Sequence, residues 1–114
     1  MHIQYLEIVT TDVDTACILY AKIHSVAFGS PDPNLGSARV ADMGNGGLLG
    51  IRAPMHNAET PLVRPYILVP DIEAAVAAAV SCGAEIIVPP MMITGRGSCA
   101  ILYQHGIQSG LWQL

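Results

Sequence analysis

"EIVTTDVDTACILY", residues 7–20, and "YILVPDIEAAVAAA", residues 66–79, carry one pattern twice. In each, an apolar strand-like run ends, an aspartate follows, and apolar residues then recur at three- and four-residue spacing. Asp12 and Asp71 stand where a helix N-cap belongs, because a short carboxylate accepts from the amide groups the first turn leaves unpaired. Each is followed two residues on by a second acid, Asp14 or Glu73, which complements the helix dipole. Asp12 answers Asp71, Asp14 answers Glu73 and Ala16 answers Ala75, all at a single offset.

The pattern extends outward from these two points. Residues 2–10 alternate as a strand, with Ile3, Tyr5, Glu7 and Val9 on one face and Gln4, Leu6, Ile8 and Thr10 on the other. The first helix shows an apolar stripe of Val13, Ala16, Leu19, Tyr20 and Ile23. "SPDPNLG" at 30–36 is turn chemistry and separates strands expected at 25–29 and 37–43. "GNGG" at 44–47 signals a hairpin, with its return strand at 48–53. Residues 54–61 are polar and rich in breakers. A second strand–helix unit follows, with a strand at 63–69 and a stripe of Ile72, Ala75, Val76, Ala79 and Val80. Gly83 is placed to end that helix. A short strand at 85–88 is expected to stop at Pro89 and Pro90. "TGRG" at 94–97 and His105-Gly106 turn the chain between strands at 98–103 and 109–114. "GLLG" at 47–50 is matched with "GLWQ" at 110–113 as the closing strands.

The expected organisation is one domain over 1–114: module one at 1–53, a linker at 54–61 and module two at 62–114. Each module reads strand, helix, strand, strand, strand. The fold class is α+β, two βαβββ modules curving into an incomplete barrel with a central cleft. A concave cleft shared by two modules is where a small ligand would lodge.

Composition limits the function. Of 114 residues, 52% are apolar and 12% charged, where soluble domains carry roughly a quarter charged. A homodimer that hides apolar surface accounts for this. No apolar run approaches the roughly 18 residues of a membrane span, so no membrane partner is expected. The net charge is −4 with five scattered Lys and Arg, which leaves no basic stripe for nucleic acid. Met1 leads into a strand without the regions of a signal peptide, so a cytoplasmic location is expected. The three cysteines, Cys17, Cys82 and Cys99, lack CxxC spacing and read as small buried apolar residues.

Three stretches together carry a resemblance that spans nearly the whole chain: "YLEIVTTDVDTACILY", "RPYILVPDIEAAVAAAVSCGAEIIVPP" and "GRGSCAILYQHGIQSGLWQ". They resemble the vicinal oxygen chelate superfamily of glyoxalase I, bleomycin-resistance proteins and extradiol dioxygenases. Its enzymes usually hold a divalent metal with His and Glu from the first and last strand of each module. Carried across, the first-strand positions fall on Tyr5 and Arg64 and the last-strand positions near Gly47 and Gly110. Glycine has no side chain, arginine stays protonated, and neutral tyrosine is a poor ligand. His2, His24, His56 and His105 are dispersed. No metal and no other cofactor is therefore expected. "YQHG" at 103–106 also departs from the Asp-Pro-containing turn of many relatives.

Strand alternation puts Tyr5, Glu7, Arg64, Tyr66, Gly110 and Trp112 toward the cleft. Tyr5, Glu7, Arg64, Tyr66 and Trp112 are the candidate ligand-binding residues. Glu7 and Arg64 either offer an acceptor and a donor fork to a ligand or pair with each other. Tyr66 and Trp112 either stack on a planar ligand or pack as core. Arg52 and Arg96 are expected on the surface. The expected function is a metal-free protein of the glyoxalase/bleomycin-resistance type that binds or sequesters a small amphipathic or aromatic molecule. The alternative is a lyase, isomerase or dioxygenase-like enzyme of that superfamily, with Glu7 as a base. A scaffold that only dimerises is the third reading.

Overall fold

The computed structural model describes residues 1–114. In chain order the elements are β1 (Ile3–Val9), α1 (Val13–His24), β2 (Arg39–Asp42), β3 (Leu48–Arg52), β4 (Leu62–Leu68), α2 (Ile72–Ser81), β5 (Glu85–Ile93), β6 (Gly97–Gln104) and β7 (Ile107–Gln113). The class is α+β. The chain divides into two compact units, residues 5–63 and residues 1–4 with 64–114.

In the first unit the strand order is β2-β3-β1. β1 runs parallel to β3, with Glu7 opposite Gly50 and Val9 opposite Arg52. β2 returns antiparallel through the glycine hairpin, where Gly44 and Gly46 take positive φ of 82° and 88°. α1 covers one face. Its Cys17 packs on Ile8, Leu49 and Ile51, with Leu6, Val13, Ala16 and Tyr20 around them. Asp12 caps α1 as expected, accepting from the Thr15 amide at 3.2 Å and the Thr15 hydroxyl at 2.9 Å.

Two expectations for this unit are corrected. The buried stripe of α1 runs through Val13, Ala16, Cys17 and Tyr20, and Leu19 and Ile23 are exposed. The helix docks through Cys17, a small apolar side chain, and this turns the stripe away from Leu19 and Ile23. The strand expected at 25–29 is reduced to one bridge, Phe28 with Ala41. Ser25 adopts φ 55° as the helix C-cap, and that left-handed turn uses up the residues that would extend the strand.

In the second unit the order is β4-β7-β6-β5. β4 and β7 are parallel, with Tyr66 opposite Gly110 and Leu68 opposite Trp112. Asp71 caps α2, accepting from the Ala74 amide at 3.1 Å, and the side-chain carbonyl of Gln113 accepts from the Ile72 amide at 2.8 Å. The alanine-rich body of α2 needs little help to be helical. Gly83, at φ 91°, ends it as expected. His105 and Gly106 both take positive φ, 50° and 84°, and so form the tight turn that suits a right-twisted hairpin.

β5 is the main departure. It does not stop at Pro89 but continues to Ile93 through both prolines. Pairing with β6 slips between Ile86 and Val88 and again between Val88 and Met91. Each slip inserts one extra residue on β5, and the prolines sit in the second bulge. β5 has a neighbour on one side only, and edge strands and bulges are where a sheet tolerates residues that cannot donate.

The matched caps give a first expectation. Asp12→Ala and Asp71→Ala should each lower stability by about 1 kcal/mol. Urea denaturation followed by circular dichroism would measure this, and a change in only one variant would show that the two helices are not equivalently capped.

Candidate functional site

In both units the face of the sheet turned away from the helix carries polar side chains. Leu6, Ile8, Leu49 and Ile51 point to α1. Their neighbours Tyr5, Glu7, Gly50 and Arg52 therefore occupy the other face. By the same alternation Arg64, Tyr66, Gln108, Gly110 and Trp112 share one face of the second unit. Tyr5, Glu7, Arg64, Tyr66 and Trp112 are each no more than 6% exposed.

The register corrects the matching of the closing strands. Glu7 answers Tyr66 under the helix-cap offset. Glu7 lies opposite Gly50, and Tyr66 lies opposite Gly110. Gly50, not Gly47, is thus the counterpart of Gly110, and Arg52 is the counterpart of Trp112. Both glycines have a packing reason. A Cβ at Gly50 would overlap the Tyr5 hydroxyl, and one at Gly110 would overlap the Tyr66 ring.

In the first unit the site is an ionic triad. Arg52 is 3% exposed rather than on the surface. Its Nε donates to Glu7 Oε2 at 2.8 Å. Its two terminal nitrogens donate to the two oxygens of Glu59, Nη1 to Oε1 at 2.8 Å and Nη2 to Oε2 at 2.7 Å. Nη1 also donates to the Ala53 carbonyl at 3.2 Å, and the Met55 amide donates to Glu59 Oε1 at 2.7 Å. Burying a guanidinium costs several kcal/mol unless anions compensate it, and this one has two. The hydrogen bonds from Arg52 are the largest cause holding the Glu59 carboxyl down to about 2. The Glu59 bond, more than the Glu7 bond, raises the Arg52 guanidinium above its ordinary value.

In the second unit the site is a neutral frame around a cation. Arg64 Nε donates to Gln108 Oε1 at 2.8 Å, and Nη2 donates to the same oxygen. Arg64 Nη1 lies 3.4 Å from the Tyr66 hydroxyl. Tyr66 meets Trp112 edge to face, with centroids 5.7 Å apart and planes at 89°. The Trp112 indole N–H donates to the Arg96 carbonyl at 2.9 Å; Arg96 itself is half-buried. Tyr66 and Trp112 therefore have a packing role in the structure.

Of the cysteines, Cys17 and Cys99 are buried as expected, whereas Cys82 is exposed at the end of α2. Burial pushes the Cys17 thiol up, away from the reactive thiolate.

The donors do not fit the divalent metal that the resemblance implies. No group of three His, Cys, Asp or Glu side chains stands close enough to hold an ion. The two carboxylates that do converge, Glu7 and Glu59, are bridged by a guanidinium that occupies the place of a cation. No helix is long and apolar enough to cross a membrane.

Arg52, Glu59 and Gln108 escaped the sequence reading. For Arg52 a signal existed: it shares parity with Gly50 on β3 and so falls on the face of Glu7. For Gln108 the same parity along β7 applies. Glu59 lies among residues 54–61 without periodicity, and no local pattern marks it.

The triad makes acid stability testable. Glu59 titrates near 4.5 when unfolded and at about 2 when folded. Between these values the unfolded chain holds more protons, so stability rises with pH across that window and is lost as acid is added through it. The contribution is on the order of 3 kcal/mol at most, full above about pH 5 and gone by about pH 2. Glu59→Gln lacks it. Urea unfolding at several pH values should show the gap between wild type and Glu59→Gln closing as pH falls; a constant gap would contradict the assignment.

Likeness to solved structures places this arrangement. A hypothetical protein from Bacillus halodurans C-125 superposes with a TM-score of 0.79 at 15% identity, covering 99% of this chain and 94% of that one. Methylmalonyl-CoA epimerase from Mycobacterium tuberculosis gives 0.74 at 14% identity, over 96% of this chain and 85% of that one. A variant of the Streptomyces coelicolor methylmalonyl-CoA epimerase, in complex with 2-nitronate-propionyl-CoA, gives 0.70 at 17%, over 99% and 94%. No family model matches the sequence, and none of the curated proteins does. The likeness extends over almost the full chain, and the chain has the fold of the vicinal oxygen chelate superfamily.

Proposed function

We propose that the chain is an enzyme of the isomerase or lyase type that moves a proton at a carbon next to a carbonyl, with Glu7 as the base. The observation that carries this reading is a buried carboxylate on the first strand, fixed by Arg52, in a fold whose solved neighbours include methylmalonyl-CoA epimerases. Arg52 donates from Nε to Glu7 Oε2 and so restrains its rotamer. Removing the α-proton leaves an enolate, and returning the proton completes the cycle. The substrate class is a small acid or thioester with an acidic α-hydrogen. Methylmalonyl-CoA, the compound named for the epimerases among the neighbours, is the first to test. No step in this scheme uses a metal.

A second reading has its own support. The positions that resemble metal ligands carry Tyr5, Arg64 and glycine, which suits a protein that binds and sequesters a small molecule without converting it. Exchange separates the two. Wild type in deuterated buffer should incorporate deuterium at the α-carbon of methylmalonyl-CoA, or of a related thioester or α-keto acid, read by NMR. Glu7→Gln should slow this about 100-fold or more. Binding without exchange across the whole panel would favour sequestration.

The proposal includes a homodimer. Ile87, Met91 and Met92 on the edge strand β5 are 47%, 49% and 80% exposed, large apolar side chains on a chain with few charges. Sedimentation should give a dimer for wild type and a larger monomer fraction for Met92→Asp; a monomeric wild type would refute it.

A further inference from the structure

The carboxylate of Glu59 is bound as a ligand's would be. Three donors converge on its two oxygens: Arg52 Nη1 at 2.8 Å, Arg52 Nη2 at 2.7 Å and the Met55 amide at 2.7 Å. The guanidinium grips it end-on with both terminal nitrogens, a two-pronged geometry by which arginine recognises a carboxylate. The floor of this receptor is rigid. Arg52 is the last residue of β3, its Nε is fixed by Glu7, and its side chain lies against Gly36, where a Cβ would stand 3.2 Å from Arg52 Cδ.

The occupant is not rigid. Glu59 belongs to residues 53–61, which form no helix or strand and are mostly exposed. The backbone bond recorded within this segment is a single turn, from the Glu59 amide to the His56 carbonyl at 3.1 Å. A segment so sparsely bonded opens more cheaply than the strands around it. The duplicated unit has nothing similar. Trp112 stands at the position of Arg52, and its N–H goes to a backbone carbonyl. The receptor is thus particular to the first unit and is not a requirement of the fold.

We propose that the Arg52 fork forms a binding site for the carboxylate of a small organic acid, and that Glu59 occupies it as a tethered competitor. When an external carboxylate enters, Glu59 leaves with its strap and the charge on Arg52 stays balanced. Glu7 is untouched by the exchange, because it holds a different nitrogen. This site goes beyond the proton-transfer reading, and its test reads binding rather than turnover, so either can fail alone.

Propionate is the probe, with propionamide as the neutral control of the same shape and chloride at matched ionic strength. Binding is followed by thermal shift and calorimetry at pH 7. A carboxylate tethered by a short flexible strap competes at about millimolar effective concentration or above. Glu59→Ala should therefore bind propionate about tenfold or more tightly than wild type, and propionate should recover part of the melting temperature the substitution removes. Glu59→Gln, which keeps the volume of the side chain but not its charge, should show the same preference for propionate over propionamide. Glu59→Ala responding equally to propionate, propionamide and chloride would overturn the proposal. If Glu59→Ala does not fold, the Glu59→Gln comparison decides alone, and equal affinity of that variant and wild type for propionate would overturn it too.

Discussion

A guanidinium buried at the end of β3 sets the terms for the first unit. Arg52 cannot shed its proton, and an unpaired positive charge there would cost several kcal/mol. Glu7 on the neighbouring strand supplies one anion and Glu59 on the following segment supplies the other. β1 and β3 are thereby joined through side chains as well as through their parallel ladder. Residues 53–61, which have no ladder of their own, gain a fixed point. The polarity of that face follows from the same fact. The hydrogen bonds from Arg52 hold the Glu59 carboxyl well below the usual carboxylate range.

The two units show how far duplication constrains chemistry. Both keep the capped helix, the parallel pairing of first and closing strand, and a glycine beneath a tyrosine ring. These are backbone and packing requirements. The position two residues further along the closing strand, on the same face, is free to differ, and it does, with a cation in one unit and an indole in the other. One unit answers its charge with two carboxylates. The other surrounds Arg64 with an amide and a phenol and packs its indole against the same ring.

Much of the fold was legible because its signals are local. An aspartate before a helical stripe, a glycine-rich hairpin and His105-Gly106 each act over a few residues, and the structure has them where the sequence puts them. The failures were of two kinds. Pro89 and Pro90 read as a stop because proline cannot donate to a ladder, yet position in the sheet decides whether a donor is required, and that is a tertiary fact. The stripe of α1 slipped because cysteine was not counted among the residues a helix docks on. The site was less legible than the fold. Glu7 and Arg64 stand out as charges in apolar strands, but the partner of Glu7 on the facing strand depends on register, and Glu59 is brought in by a loop that no periodicity describes. Arg52 was assigned to water on the strength of its residue type, although its parity on the strand argued otherwise.

The prolines of β5 have a consequence for how the molecule can associate. An outer strand normally invites another chain to add itself, amide to carbonyl. Two consecutive positions of β5 have no N–H to offer, and two bulges break the even spacing an incoming strand would need. Continuation of the sheet into a neighbouring molecule is therefore blocked along that margin. Contacts there are left to side chains, which can be selective, and the open-ended stacking that leads to fibres is discouraged by the backbone itself.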